Sequence, residues 1–260
     1  MFKRVLLFTI VLFTFSFVKV HAETSSILVQ LDEISDEALR MAKMKRYEDT
    51  GKMLDFFAER FLKVSAAQHA FNMDELRIIT VAHNDALQAV KNNGIAEMQK
   101  VNAVTKFRLV MDAIKSTHQP LWTEMEDQIM STFSETKEAV QNNDPQKFND
   151  GFNKLLSQYE MIYPSLMIDL APEKIQKLDA RLEYINQNSE EVFLHKDSRS
   201  ELYALQKDLK SIFDEMNEDE ADPSLWWMII STGSIIILTL SYVGWRKYQG
   251  DKEKSIGKAE

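Results

Sequence analysis

The sequence predicts an all-α protein, built as an array or bundle of αα-hairpins and followed by one transmembrane helix. Three observations support this prediction. Glycine occurs only seven times in 260 residues, too rarely for a fold rich in tight β-turns or phosphate-cradling loops. Apolar residues recur at helical spacing, as in Leu54, Phe57 and Phe61. A long apolar run near the C-terminus matches the thickness of a bilayer.

The first element is a secretory signal peptide over residues 1–22. Lys3 and Arg4 precede an apolar stretch, and Val20 and Ala22 stand at the small-residue positions that a signal peptidase requires. Cleavage is expected after Ala22, with an uncleaved anchor as the alternative. Both place the next domain outside the cytoplasm.

An extracytoplasmic helical domain is predicted over residues 23–217. Prolines fall between its apolar-periodic segments, where a missing backbone N–H costs least, and asparagine-rich turns mark helix ends. Helices are expected at about 26–45, 47–65, 73–92, 95–116, 119–142, 145–163, 172–187 and 198–217.

The same domain carries a faint internal repeat. Segments that begin at Glu37, Gln88 and Glu138 align with offsets of 51 and 50 residues, and an alanine follows the first residue of each. A period of about 50 residues with two helices per unit is typical of TPR- or HEAT-like arrays of αα-hairpins. A closed helical bundle gives a similar pattern, so both architectures stay open at this point.

Candidate functional residues in this domain are few. Trp122 is its only tryptophan and the candidate contact for a partner; packing between helices is the alternative. His83 shares a helical face with Ile79 and Leu87, which favours a core histidine over a metal ligand. No histidine stands in an HExxH or Glu-x-x-His pattern. Catalytic residues, cofactor-binding residues and metal ligands are therefore not predicted, and no cofactor is expected.

An acidic juxtamembrane spacer at 218–224 precedes the predicted transmembrane helix at 225–245. The span holds 21 uncharged residues, or about 31 Å of helix against a hydrocarbon core of about 30 Å. Aromatic residues that favour the headgroup zone mark both rims: Trp226, Trp227, Tyr242 and Trp245. Arg246 and Lys247 follow at once, so the positive-inside rule assigns residues 246–260 to a cytoplasmic tail.

Charge and cysteine content exclude several functions. Residues 23–223 hold 23 basic and 37 acidic residues, a formal net charge of −14. Such a surface repels phosphate backbones, so nucleic acid is not an expected partner. The chain has no cysteine, which excludes disulfides, thiolate nucleophiles and cysteine-ligated zinc. The expected partners are other membrane or extracytoplasmic proteins, and the lipid bilayer through the one span.

Two stretches resemble a known family. "WWMIISTGSIIILTLSYVGWRKY" is similar to the C-terminal segment, and "LVQLDEISDEALRMAKMKRYEDTGKML" to the N-terminal segment, of the sporulation protein YpjB family of endospore-forming bacilli. The resemblance covers nearly the full chain, including the order of signal, helical domain, acidic spacer and span. It implies a role in the sporulation programme and a membrane location. The family lends no catalytic residue to this sequence.

The expected function is that of a membrane-anchored, extracytoplasmic interaction or scaffold protein that takes part in sporulation without catalysis. Grooves between packed hairpins suit the binding of peptides or partner helices. One alternative is a cell-wall-directed hydrolase that uses paired carboxylates, which the many acidic residues allow. The other is a sensor that acts through a partner membrane protein, because a tail of 15 residues is too short to fold as an output domain.

Overall fold

The computed structural model describes residues 21–68, 71–116, 119–194, 196–217, 228–237 and 239–244. Its helices are α1 (His21–Lys43), α2 (Tyr47–Gln68), α3 (Met73–Lys91), α4 (Glu97–Lys115), α5 (Glu126–Gln141), α6 (Pro145–Asp169), α7 (Pro172–Gln187), the short α8 (Glu191–Leu194) and α9 (Lys196–Asn217). A 3-10 turn, Leu121–Met125, precedes α5. No strand occurs among these described residues, in agreement with the predicted all-α class.

Side-chain caps and prolines set several helix starts. Before α3, the side chain of Asn72 accepts the backbone N–H of Glu75, and the Glu75 carboxylate accepts the backbone N–H of Asn72. This reciprocal capping box satisfies two backbone donors that a helix leaves unpaired. α6 begins at Pro145, where Asp144 accepts the backbone N–H of Lys147. These local signals explain why helix starts could be read from sequence.

Helices α1–α4 close into an antiparallel four-helix bundle. α1 packs on α2 and α4, α2 packs on α3, and α3 packs on α4. Ion pairs at helix ends show the antiparallel order, since Lys91 of α3 reaches Asp55 of α2 and Lys45 after α1 reaches Glu97 of α4. The core of this N-terminal bundle includes Leu31, Leu54, Phe57, Phe61, Ile79, Val104, Phe107 and Val110.

Buried charges join α1 to α4 inside the N-terminal bundle. Arg108 Nη1 lies 2.7 Å from Asp32 Oδ1, and Lys115 Nζ lies 2.7 Å from the other oxygen of that carboxylate. The Arg108 guanidinium also lies 3.4 Å from Asp36 and 3.6 Å from Asp112. Asp32, Arg108 and Asp112 are all buried, so each charge depends on the others for compensation.

Helices α5, α6, α7 and α9 close a second antiparallel bundle. α5 packs on α6, α6 on α7, α7 on α9, and α9 returns to α5. Arg181 of α7 lies 2.7 Å from Asp208 of α9, and Lys137 of α5 donates to Gln206 of α9. The core of this C-terminal bundle includes Ile129, Phe133, Phe148, Leu155, Ile162, Leu178, Leu205 and Phe213.

The two bundles meet where α4 packs on α6. Both helices end at the 3-10 turn: the backbone N–H of Leu121 donates to Asp112 Oδ2 at 2.6 Å, and Trp122 Nε1 donates to Asp169 Oδ2 at 2.7 Å. The turn therefore ties the last residues of α4 to the last residue of α6.

The repeat of about 50 residues corresponds to the hairpins α1–α2, α3–α4 and α5–α6. Its aligned alanines, Ala38, Ala89 and Ala139, are all buried, in α1, α3 and α5. In an open array, α1 would pack along α3 of the next unit. It packs on α4 instead, so the first two hairpins close on each other and the bundle alternative is the one observed.

α6 is longer than predicted. The prediction ended this helix at residue 163, before Pro164, whereas α6 runs through the proline to Asp169. Proline removes one backbone hydrogen bond from a helix. Ile162 and Leu166, on either side of it, are both fully buried in the C-terminal core. Packing therefore compensates for the lost hydrogen bond and carries the helix past the proline.

The predicted transmembrane helix at 225–245 is wrong. Within the part of the chain that the structure describes, no helix is both long enough and apolar enough to cross a bilayer. The prediction depended on the apolar composition of the sequence alone.

Candidate functional site

A cleft of about 680 Å³ opens between α6 and α7, beside α4. It combines apolar side chains with two tyrosines, three carboxylates and one ammonium group. Its lining residues are Lys106, Leu156, Tyr159, Glu160, Tyr163, Pro164, Asp179, Ala180, Leu182, Glu183 and Asn186. The volume lies within the range of sites that hold a small molecule or a few side chains of a partner.

Helical spacing aligns the polar groups of this cleft. Tyr159 and Tyr163 are four residues apart on α6, and Asp179 and Glu183 are four residues apart on α7, so each pair shares one face of its helix. Because α6 and α7 are antiparallel neighbours, the tyrosine face meets the carboxylate face. The two phenol rings pack edge to face with centroids 5.6 Å apart.

Both tyrosines donate hydrogen bonds to one carboxylate. Tyr159 Oη lies 2.7 Å from Asp179 Oδ1, and Tyr163 Oη lies 3.3 Å from Asp179 Oδ2. Burial, reinforced by the hydrogen bond to Asp179, raises the pKa of Tyr159 above its ordinary value. Burial and the charge of Asp179 also raise the pKa of Tyr163. Both phenols therefore stay protonated at neutral pH and hold the Asp179 carboxylate in place.

The charged groups of the cleft are not paired with one another. Among the described residues, Glu160, Asp179, Glu183 and Lys106 make no ion pair within 4.0 Å. The opposite side of α7 differs, because there Lys177 and Arg181 both pair with Asp208 of α9. With three carboxylates and one ammonium group, the cleft carries an uncompensated negative charge.

Away from the cleft lining, α6 also contains buried polar groups that have no partner among the described residues. Gln158 is 5% exposed, and neither its amide oxygen nor its amide nitrogen has a hydrogen-bond partner among the described residues. The buried Ser165 hydroxyl, seven residues further along the same helix, also has none there. An unpaired buried polar group is costly, so α6 is the least satisfied helix of the C-terminal bundle.

The groups in the cleft suit recognition. Fixed phenol rings and carboxylates bind cations and hydrogen-bond donors, while Leu156 and Leu182 offer apolar contact. No group of three or more His, Cys, Asp or Glu side chains suited to a metal ion occurs among the described residues.

The structure places Trp122 in the interior. It is 0% exposed, its indole donates to Asp169, and its ring centroid lies 5.4 Å from that of Phe213 in α9. Burial raises the pKa of Asp169 to about 6; the hydrogen bond from Trp122 opposes this shift and the charge of Asp112 adds to it. Trp122 thus packs between helices and presents no surface for a partner to contact.

The other residues singled out from sequence lie apart from the cleft. His83 is buried, and its Nε2 lies 2.8 Å from the carbonyl oxygen of Leu54, as in a satisfied core histidine. Tyr242 lies on the run 239–244 and is 58% exposed. The remaining interface and topology residues lie outside the described residues: Trp226, Trp227, Trp245, Arg246 and Lys247.

Sequence reasoning missed the tyrosines of the cleft. Tyr159 and Tyr163 fall within the apolar stripe of α6, so their positions do not differ from those of ordinary core aromatic residues. Their spacing of four residues, followed by Asp179 and Glu183 with the same spacing, is the signal that could have identified the site. Only the antiparallel packing of α6 on α7 shows that the two pairs face each other.

Comparison with known proteins identifies a matching family and a curated relative. The model of the family described as sporulation protein YpjB matches residues 28–256. The chain is also similar to the uncharacterized protein YpjB of Bacillus subtilis (strain 168), with 37% identity over 230 residues that cover 87% of each chain. No solved structure matches the chain.

Proposed function

Because the chain belongs to the sporulation protein YpjB family, we propose that it acts in sporulation as a non-catalytic interaction or scaffold protein that binds a partner protein through the cleft between α6 and α7. Family membership establishes the role in sporulation and confirms the resemblance seen in the sequence. The interaction role and the use of the cleft are the proposed parts.

One observation supports the proposal above all others: the cleft keeps polar and apolar groups available together. Its three carboxylates and its one ammonium group make no ion pair among the described residues. Apolar side chains lie beside these charged groups. A partner segment that lies along α6 and α7 would bury the apolar groups and compensate the charges, as helices bound in grooves do.

The secretory signal that the sequence predicts over residues 1–22 would place the protein outside the cytoplasmic membrane. The structure describes only His21 and Ala22 of this segment, so the signal stays a prediction. Sequencing the N-terminus of the mature protein tests it, and a terminus at Glu23 is the expected result.

Site-specific crosslinking in sporulating cells tests the proposed surface. A photoreactive amino acid replaces Asn186 at the rim of the cleft, and a matched one replaces the exposed Val81 of α3. We expect position 186, and not position 81, to crosslink one protein in stoichiometric amount. Tyr163→Ala should abolish that crosslink and reduce spore yield while the protein accumulates normally. Equal crosslinking at both positions, or a normal spore yield with Tyr163→Ala, would contradict the proposal.

A further inference from the structure

We propose that the cleft between α6 and α7 receives a basic side chain, the head group of a Lys or Arg in the partner segment. This inference rests on the proposed function and goes beyond it by naming the chemistry of the contact. The evidence for a basic guest comes from the charged groups around Asp179.

Three aspartates that face neighbouring helices give the first argument. Asp32 is paired with Arg108 and Lys115, and Asp208 is paired with Lys177 and Arg181. Asp179 faces two phenols instead, and no cation of the described part lies within 4.0 Å of it. Neutral donors orient a carboxylate but leave its charge in place. Asp179 thus lacks the cationic partner that the other two possess.

The surroundings of Asp179 give the second argument. Glu160 and Glu183 line the same cleft, so a cation placed there is attracted by three carboxylates. The ring of Tyr163 forms part of the wall, and aromatic faces attract Lys and Arg head groups. Leu156 offers apolar surface against which a long aliphatic stem can lie.

Among the described residues, Lys106 is the only cation that lines the cleft. It also borders a smaller recess of about 200 Å³ between α4 and α6, next to Glu160. A basic guest and Lys106 repel each other, so Lys106 weakens the binding of cations. Removing its charge should therefore strengthen the binding of a cation, which distinguishes charge recognition from apolar packing.

Titration of the purified full-length chain with a matched peptide pair tests the inference. The probes are Ac-Ala-Leu-Arg-Leu-Ala-amide and the same peptide with citrulline, which keeps the shape of arginine and removes its charge. Amide chemical shifts of the protein report on binding. We expect the arginine peptide to bind at least about fivefold more tightly, and its affinity to fall with added salt. Equal binding of the two peptides would overturn the inference.

Charge variants sharpen this test. Glu183→Gln should weaken binding of the arginine peptide about two- to fivefold, and Lys106→Gln should strengthen it by a similar factor. Lys154→Gln, at an exposed position away from the cleft, should leave the affinity unchanged. An unchanged affinity with Lys106→Gln would refute the inference. If position 186 crosslinks a partner but arginine has no advantage over citrulline, the basic guest is excluded and the proposed function stands.

Discussion

The two bundles differ in how particular buried polar groups are compensated. In the N-terminal bundle, Asp32, Arg108 and Lys115 compensate one another between α1 and α4. In the C-terminal bundle, Gln158 of α6 is buried with no partner among the described residues, and Asp179 faces phenols in place of a cation. Both bundles have the same helix count and the same antiparallel order, so the difference lies in side chains and not in topology.

This difference separates buried polar groups that stabilise the fold from polar groups that are available for binding. A compensated buried network restricts how helices can pack and leaves nothing for a ligand to satisfy. The buried, unpaired amide of Gln158 lowers stability. The Asp179 carboxylate, which lines the cleft, keeps a charge that a partner can compensate. Under the proposed function, the N-terminal bundle serves as the support and the C-terminal bundle carries the recognition surface.

Of the substitutions considered, removal of the Arg108 guanidinium should cause the largest loss of stability. Arg108→Met leaves Asp32 and Asp112 buried without it, which should lower the free energy of unfolding by about 3 kcal/mol. Chemical denaturation measures this loss. Arg40→Met breaks an exposed pair with Glu37 and should cost less than about 1 kcal/mol. If both variants lose equally little, the N-terminal bundle does not depend on its buried network.

A pair of glycines compares helix packing in the two bundles. A Cβ at Gly151 of α6 would lie 2.6 Å from Thr136 Oγ1 of α5, whereas one at Gly51 of α2 would lie 3.8 Å from its nearest neighbour. Gly151→Ala should destabilise the protein by about 2 kcal/mol. Gly51→Ala should stabilise it by about 0.5 kcal/mol or more through helix propensity. Thermal melts of both variants check the opposite signs, and a stable Gly151→Ala protein would show that α5 and α6 separate easily.

Most substitutions in a protein core lower the free energy of unfolding, but replacement of Gln158 should raise it. Gln158→Met keeps the length of the side chain and removes the unpaired amide, so it should raise the free energy of unfolding by about 1–2 kcal/mol. Gln128→Met, at an exposed position of α5, should change it by less than about 0.5 kcal/mol. Denaturant titration measures the free energy of unfolding of both variants. A destabilised Gln158→Met protein would mean that the amide is satisfied in solution.

The smallest expected change in stability comes from Asp169, and it depends on pH. Burial raises the pKa of Asp169 to about 6, above its ordinary value of 3.8, so the folded state favours the protonated carboxyl. Its ionisation therefore costs stability above pH 6 and costs nothing below about pH 4. Asp169→Asn should raise stability by about 1 kcal/mol at pH 8 and leave it unchanged at pH 4. Melting temperatures across this range, with Asp85→Asn as the exposed control, test this; a gain that is equal at both pH values would contradict it.

Local signals made much of the fold predictable, and contacts between helices made the rest unpredictable. The capping residue Asn72 and the proline at Pro145 fix helix starts through bonds within one turn, so sequence shows them directly. Closure of α1 on α4 depends on side chains about 75 positions apart, such as Asp32 and Arg108. The cleft also depends on contacts between distant residues, because Tyr159 and Tyr163 of α6 donate hydrogen bonds to Asp179 of α7.

The errors have equally specific reasons. Pro164 ends a helix in an isolated peptide, but burial of the residues around it outweighs the lost hydrogen bond. Trp122 is visible in sequence as an unusual residue, yet its bond to Asp169 appears only when α6 and the 3-10 turn come together. The apolar run 225–245 has the composition of a span, but no helix among the described residues is long and apolar enough to cross a bilayer.

The two-sided burial of α4 has a consequence for how the molecule unfolds. Its residues Val104, Phe107 and Val110 belong to the N-terminal core, while Leu109 belongs to the C-terminal core. Unravelling either bundle would therefore strip apolar cover from the other through this one shared helix. The two bundles should behave as a single cooperative folding unit, in which amide protons of α4 exchange with solvent only when the whole assembly of helices opens.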